Sequence, residues 1–253
     1  NKSERSLLAK YLPKIRSNSN TKNDRHRRIN EWAKGFCKFA GISETDYRKF
    51  KSDPQHTSHN FQRLMCSNNW DSINFNNIPG KALFNLAKGK AIFSHNLEGK
   101  YENWIENQPV AKFTGYVYEL YMAYSSTIRM YQKYTLNKQF DGLLEKARTN
   151  TPKELLEGGV LCALDTSASM TWDMVAGKAR PLDICLGLGI FFSSLIEGHF
   201  KNTVIEFSNK SKVVKLTGNF CDKAEQTRQL SGWGSTNFQS VIDEIVRIRL
   251  ANP

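Results

Sequence analysis

The segment Asp165-Thr166-Ser167-Ala168-Ser169 places one carboxylate and two hydroxyls within five residues. Oxygen-only donors suit a hard divalent cation such as Mg²⁺ or Mn²⁺. Asp and Ser are also common turn residues, so these five positions alone are not distinctive. A second segment, Gly232-Trp233-Gly234-Ser235-Thr236-Asn237, is a glycine-rich loop ahead of a helix-patterned stretch. Its Thr236 could return a third hydroxyl to the same cation. Other chemistries lack their residues. There is no G-x-x-x-x-G-K-[ST] phosphate loop and no G-x-S-x-G nucleophile elbow, and Asp165-Thr166-Ser167 lacks the second Asp of a D-x-D pattern. His56 and His59 are three apart but have no Cys nearby, which reads as chance spacing. A cation on hydroxyls and one carboxylate could activate water, yet no general base stands beside it. The expectation is a protein that is not an enzyme.

The elements that must hold these loops change character along the chain. Val160-Leu161-Cys162-Ala163-Leu164 is a continuous apolar run of strand length, which predicts a central parallel strand covered on both faces. Asp165 then stands at its carboxyl end, where open α/β sheets bind ligands. An apolar helix is predicted over 181–197, a second strand over 203–207, an edge strand over 212–216, a short polar helix over 222–230 and an amphipathic helix over 238–250. This β-α-β-β-α-α order is the front half of a doubly wound α/β domain.

Upstream, the pattern is helical. Ile29, Trp32, Ala33, Phe36, Phe39 and Ala40 recur at three and four residues, and Ser43 offers an N-cap to a helix through Tyr47 and Phe50. Further helices are predicted at 61–65, 81–93 and 97–106, along the stripe Val117, Leu120, Tyr121, Tyr124 and Ile128, and around Leu143, Leu144 and Ala147. The shift at Glu157-Gly158-Gly159 sets the predicted boundary: a helical module over 1–157 and an α/β domain over 158–253.

Charge is divided along the same line. The net charge is +12. Residues 1–157 hold 26 Lys+Arg and 15 Asp+Glu, or +11, and residues 158–253 hold 10 and 9, or +1. Such asymmetry suggests a polyanion-binding module beside a neutral one. Its densest cluster is Lys22, Arg25, Arg27 and Arg28, the candidate contacts to nucleic-acid phosphates. Tyr116, Tyr118, Tyr121, Tyr124, Tyr131 and Tyr134 are crowded together. Tyrosines at helical spacing belong more often to a core than to a base-stacking platform, though Lys112, Arg129, Lys133 and Lys138 lie nearby. Trp32, Trp70 and Trp104 are assigned to packing. Five cysteines, Cys37, Cys66, Cys162, Cys185 and Cys221, are odd in number and widely spaced, which argues against a disulfide framework and for a reducing compartment. No apolar run approaches the roughly 20 residues that span a bilayer. The expected location is cytoplasmic, with the nucleus open to a eukaryotic protein.

Residues 163–170, Ala-Leu-Asp-Thr-Ser-Ala-Ser-Met, resemble the strand and first loop of the metal-ion-dependent adhesion site in von Willebrand A domains, and Gly234-Ser235-Thr236-Asn237 resembles its second loop. The resemblance implies direct or water-mediated ligation of Mg²⁺ or Mn²⁺ by Asp165, Ser167, Ser169 and Thr236. The third loop of that family, with another Asp, would follow a strand beginning just past Leu250, while the sequence stops at Pro253. The α/β domain is therefore expected to be truncated and its metal weakly held. The upstream part, with Tyr11-Leu12-Pro13, residues 41–49 (Gly-Ile-Ser-Glu-Thr-Asp-Tyr-Arg-Lys), Met65-Cys66-Ser67-Asn68-Asn69-Trp70 and Ile78-Pro79-Gly80-Lys81-Ala82, resembles a helical module of uncharacterised plant and viral proteins. In architecture the whole is similar to Ro-type (TROVE) RNA-binding proteins. The fold expected is α/β: a helical N-terminal module followed by a truncated von Willebrand A, Rossmann-like doubly wound domain.

Three functions fit these features. The first is a single-stranded RNA- or DNA-binding protein whose metal site docks a partner's acidic group. The second is a metal-dependent protein-interaction scaffold without nucleic acid. The third is a viral transcription or replication cofactor on single-stranded DNA. None involves a membrane.

Overall fold

The structure, a computed structural model, describes residues 12–15, 24–52, 61–88, 91–124, 128–157, 159–172, 175, 179–230 and 234–251. The chain forms two compact units, Asn1–Asn77 and Ile78–Pro253.

In the first unit, α1 (Asp24–Phe39) and α2 (Glu44–Ser52) are followed by α3 (Phe61–Cys66) and two short 3-10 turns. Only part of the predicted α1 stripe packs: Ala33 is buried with Cys37, Tyr47 of α2 and Leu12, and Phe36 lies against them with Phe50, whereas Trp32, Phe39 and Ala40 are exposed. Gly41, at φ +64°, ends α1 in the left-handed conformation that a residue with Cβ adopts reluctantly. The predicted cap of α2 is present, since Ser43 Oγ accepts the Asp46 backbone N–H at 2.9 Å. The Tyr47 hydroxyl donates to the Pro13 carbonyl at 2.6 Å, which fixes the extended segment beside α2.

The second unit is a mixed, mostly helical structure around a three-stranded sheet. Its helices are α4 (Gly80–Lys88), α5 (Ala91–Ser94), α6 (Glu98–Glu106), α7 (Val117–Ala123), α8 (Met130–Asn150) and α9 (Lys153–Glu157); then come β1 (Cys162–Asp165), α10 (Pro181–Leu195), β2 (Thr203–Phe207), β3 (Ser211–Lys215), α11 (Phe220–Arg228) and α12 (Phe238–Ala251). The sheet order is β1-β2-β3, with β1 parallel to β2 and β2 antiparallel to β3. One face, carrying Leu164 and Val204, packs on Leu186 and Ile190 of α10. The other, carrying Ile205 and Phe207, packs on Val241 and Ile248 of α12. Helix α10 lies between β1 and α7, and its glycines permit both approaches. A Cβ at Gly189 would come within 2.4 Å of Leu164 Cδ2, and one at Gly187 within 3.1 Å of Tyr118 Cα.

Three expectations change. The apolar run 160–164 is not the central strand. Among the described residues β1 pairs with β2 alone, Val160 is 46% exposed and Ala163 is exposed, whereas every residue of β2 is buried. An unbroken apolar run reports neither a strand's neighbours nor which of its faces is covered: of these five residues only Leu164 is buried. The stripe from Val117 does not continue as one helix: α7 ends at Ala123 and Tyr124 is extended, with ψ 137°, yet its ring is still buried in the same core. The change of composition at residue 157 falls inside the second unit. Leu120, Tyr121, Phe140 and Leu144 from upstream share one core with Leu164, Leu186, Ile190 and Val204 from downstream, and the division between compact units lies at Asn77–Ile78. No helix among the described residues is long and apolar enough to cross a membrane.

Candidate functional site

Three loops meet at the carboxyl ends of β1 and β2. The first leaves β1 through Asp165 and turns into a 3-10 segment, Ala168–Thr171. Asp165 Oδ1 accepts the Ser167 backbone N–H at 2.9 Å, which closes the turn, and Ser167 Oγ and Ser169 Oγ lie 3.2 Å apart. Thr166 anchors the turn to the sheet. Its backbone N–H donates to the Phe207 carbonyl at 2.9 Å and its hydroxyl donates to Glu206 Oε1 at 2.7 Å. Glu206 is buried on the central strand, and Lys212 of β3 lies opposite it with Nζ 3.9 Å from Oε2.

The glycine-rich loop docks on this turn through its backbone, as the Ala168 N–H donates to the Gly234 carbonyl at 3.2 Å. The third loop, between β2 and β3, clamps it. Asn209 Oδ1 accepts both the backbone N–H and the hydroxyl of Ser235, at 2.9 and 2.8 Å, and the Asn237 side-chain amide donates to the Asn209 carbonyl at 3.1 Å. The Asn237 backbone N–H donates to the Ser208 carbonyl at 2.8 Å. Gly234 sits at φ +154° directly over Asn209, where a Cβ would come within 2.4 Å of the amide nitrogen, so a side chain there would push the Asn209 clamp aside.

Asp165, Ser167 and Ser169 are thus brought together, as the spacing suggested. Thr236 is held near them only through its loop: its side chain is exposed and makes no hydrogen bond to a described residue. The donors fit a hard cation in one testable respect. The 3.2 Å between the two serine oxygens is close to the roughly 2.9 Å edge of an octahedron with 2.0–2.1 Å metal–oxygen bonds. Asp165 is the one carboxylate of this set, and among the described residues no group of three or more His, Cys, Asp or Glu could hold a metal. Asn209 and the Thr166–Glu206 pair carry no motif. Their signal was positional: both strands end here, and side chains at strand ends line such sites.

The basic cluster lies in the first unit. Lys22 is outside the described residues, as are His56 and His59. Arg25, Arg27 and Arg28 are exposed on the first turns of α1, and Arg27 pairs with Asp24 at 3.0 Å. Trp32 is not packing material: it is 56% exposed, and Phe39 is 90% exposed. Of the six clustered tyrosines, Tyr121, Tyr124 and Tyr131 are buried in the core, while Tyr116 is exposed and stacked on Tyr118 with centroids 5.5 Å apart. All five cysteines are free thiols.

Comparison with known proteins gives two similarities. Residues 160–252 match a family model described as a domain of unknown function (DUF7788). The chain is also 23% identical over 222 residues to the uncharacterised protein L728 of Acanthamoeba polyphaga mimivirus, which covers 82% of this chain; the chain spans 37% of the length of that curated relative. No solved structure matches. The expected resemblance to viral proteins of unknown function is therefore found over most of the chain.

Proposed function

We propose that this protein binds single-stranded RNA or DNA without catalysing a reaction. The observation that supports this reading is the concentration of +11 of the +12 net charge in residues 1–157, with Arg25, Arg27 and Arg28 exposed together on one short helical segment. Arginines so placed neutralise phosphates, and the released counterions make affinity fall steeply with salt. In this reading the part of the second unit from β1 onward is von Willebrand A-like and is completed by the upstream helices that share its core. Asp165, Ser167 and Ser169, with Thr236 from the docked loop, would hold Mg²⁺ or Mn²⁺. The cation would supply a Lewis-acidic position for an acidic group of a partner. The residues that would hold it are ordered by the chain itself: the Ser167 backbone N–H donates to the Asp165 carboxylate, and Thr166 on Glu206 fixes the turn. Filter binding of labelled single strands across salt tests the reading. Replacing Arg25, Arg27 and Arg28 by Ala should flatten the salt slope by roughly 2, at about 0.7 per phosphate contact. Unchanged affinity and slope would refute it.

A second reading is favoured by the convergence of three loops around Asp165. Here the metal site docks an acidic segment of a protein partner and the basic surface only steers the encounter. Pull-down from nuclease-treated lysate with and without chelator separates the two. A partner lost with chelator, together with no nucleic-acid binding at low salt, supports this second reading.

A further inference from the structure

Among the described residues, helix α1 packs into the first unit through one face and presents another to solvent. At 100° per residue, Ala33, Cys37 and Asn30 point into the first unit, where all three are buried. Arg25, Arg28, Trp32, Gly35 and Phe39 fall on the other side, within about 80° of arc. All five are exposed. Trp32 and Phe39, at 56% and 90% exposure, are large apolar surfaces left in water. Phe36 backs the indole of Trp32, with ring centroids 5.8 Å apart and planes 11° from parallel, so the ring is held in place rather than free to fold down. Gly35, between the two exposed rings, would meet nothing within 4 Å if it carried a Cβ, so the helix backbone is open there.

We infer that this stripe is a single-strand docking surface, in which Arg25 and Arg28 take phosphates and Trp32 and Phe39 take the faces of unpaired bases. The inference rests on the nucleic-acid reading above and assigns it a place and a strand preference. Guanidinium groups next to ring faces match a strand whose charge and π-surfaces alternate, and aromatic rings gain from bases only when those bases are not already paired. An anionic bilayer fits the stripe less well. A helix lying in a membrane interface puts its apolar residues on one face and its cations on the other, whereas here the arginines and rings share a face and Ala33, Phe36 and Cys37 are committed to the core. Trp32 and Phe39 are seven residues apart, about 10.5 Å along the axis. A strand engaging both must therefore cross the bare backbone at Gly35.

The full 253-residue protein, titrated with a fluorescent oligothymidylate and with a duplex of equal length, tests this. Trp32→Ala and Phe39→Ala should each weaken oligothymidylate binding about tenfold while leaving duplex binding within twofold. Gly35→Glu is the control for folding. It adds a carboxylate in open space and improves helix propensity, so weakened single-strand binding by a protein with unchanged circular dichroism supports the stripe without a stability artefact. Arg25→Ala/Arg28→Ala should lower both affinities and flatten the salt slope. If the aromatic variants and Gly35→Glu bind like wild type while the arginine variant fails, the docking surface is wrong and the charge reading stands. If the oligothymidylate does not bind at low salt, both are wrong. Trp32-dependent capture by phosphatidylserine vesicles with no oligothymidylate binding overturns the inference in favour of a membrane surface.

Discussion

Thr166→Val is the most informative single change to the loop cluster, because it removes one hydroxyl and keeps the shape. In the native protein Thr166 Oγ1 donates to Glu206 Oε1 at 2.7 Å, and both residues are buried. After substitution the buried carboxylate keeps only Lys212, whose Nζ is 3.9 Å from Oε2 and whose side chain is 62% exposed, so solvent screens most of that attraction. A hydrogen bond to a charged group contributes about 1.5–3 kcal/mol, and a buried acceptor deprived of its donor loses most of it. We expect a loss of about 2 kcal/mol in urea unfolding followed by circular dichroism, or about 4–8 °C in Tm for a unit of this size. The double variant Thr166→Val/Glu206→Met should recover at least half of the loss, because replacing both partners by apolar groups removes the unsatisfied carboxylate. Single-variant stability within 0.5 kcal/mol of wild type would refute the view that this pair anchors the turn to the sheet.

Further predictions address other parts of the molecule. Gly189→Ala should destabilise by about 1–3 kcal/mol, since its Cβ would come within 2.4 Å of Leu164 Cδ2, and Leu164→Ala in the same chain should relieve part of that loss in thermal melts. Burial, aided by the charges of Lys201 and Arg148 and opposed by Asp141, holds the Lys223 ammonium below the ordinary lysine range even though Ser194 and Asn202 accept from it. The native state therefore releases that proton at lower pH than the unfolded chain, so Lys223 contributes stability that rises with pH up to the usual lysine value; Lys223→Met should remove that slope from urea midpoints measured between pH 8 and 10. Burial also pushes the Cys221 thiol up to about 12, so native-state alkylation at pH 8, read by peptide mass spectrometry, should modify exposed Cys66 and spare Cys221. A chain starting at Ile78 should express as a folded protein, whereas one starting at Gly158 should not, because it lacks Leu120, Tyr121, Phe140 and Leu144 from the shared core; proteolysis of the two purified products decides this.

The parts of this fold legible in the sequence are those fixed by near neighbours. The Ala33 and Phe36 contacts of α1, the Ser43 cap and the Asp165–Ser169 turn lie on patterns set by residues within a few positions of one another. What was not legible depends on distant partners. The order of the sheet places β2, not the more apolar 160–164 run, at the centre, and no local pattern encodes which strand gains two neighbours. Asn209 clamps a loop 26 residues away. Trp32 is a different case. Its spacing from Phe36 made it look like core, but its angle around the helix puts it with Arg25 and Arg28, away from Ala33 and Cys37, and that angle could have been read directly.

The core that joins residues on both sides of position 157 has a consequence for how the chain is made. Helix α7 and Tyr124 leave the ribosome well before their partners exist. The Tyr124 hydroxyl donates to Glu225 across 101 residues of sequence, and Arg228 donates to the Tyr124 carbonyl across 104. At roughly 5–20 residues per second of synthesis, Tyr124 waits roughly 5–20 s for these two partners on α11. Two of the bonds that tie α7 into the fold are therefore made only after most of the second unit has been synthesised.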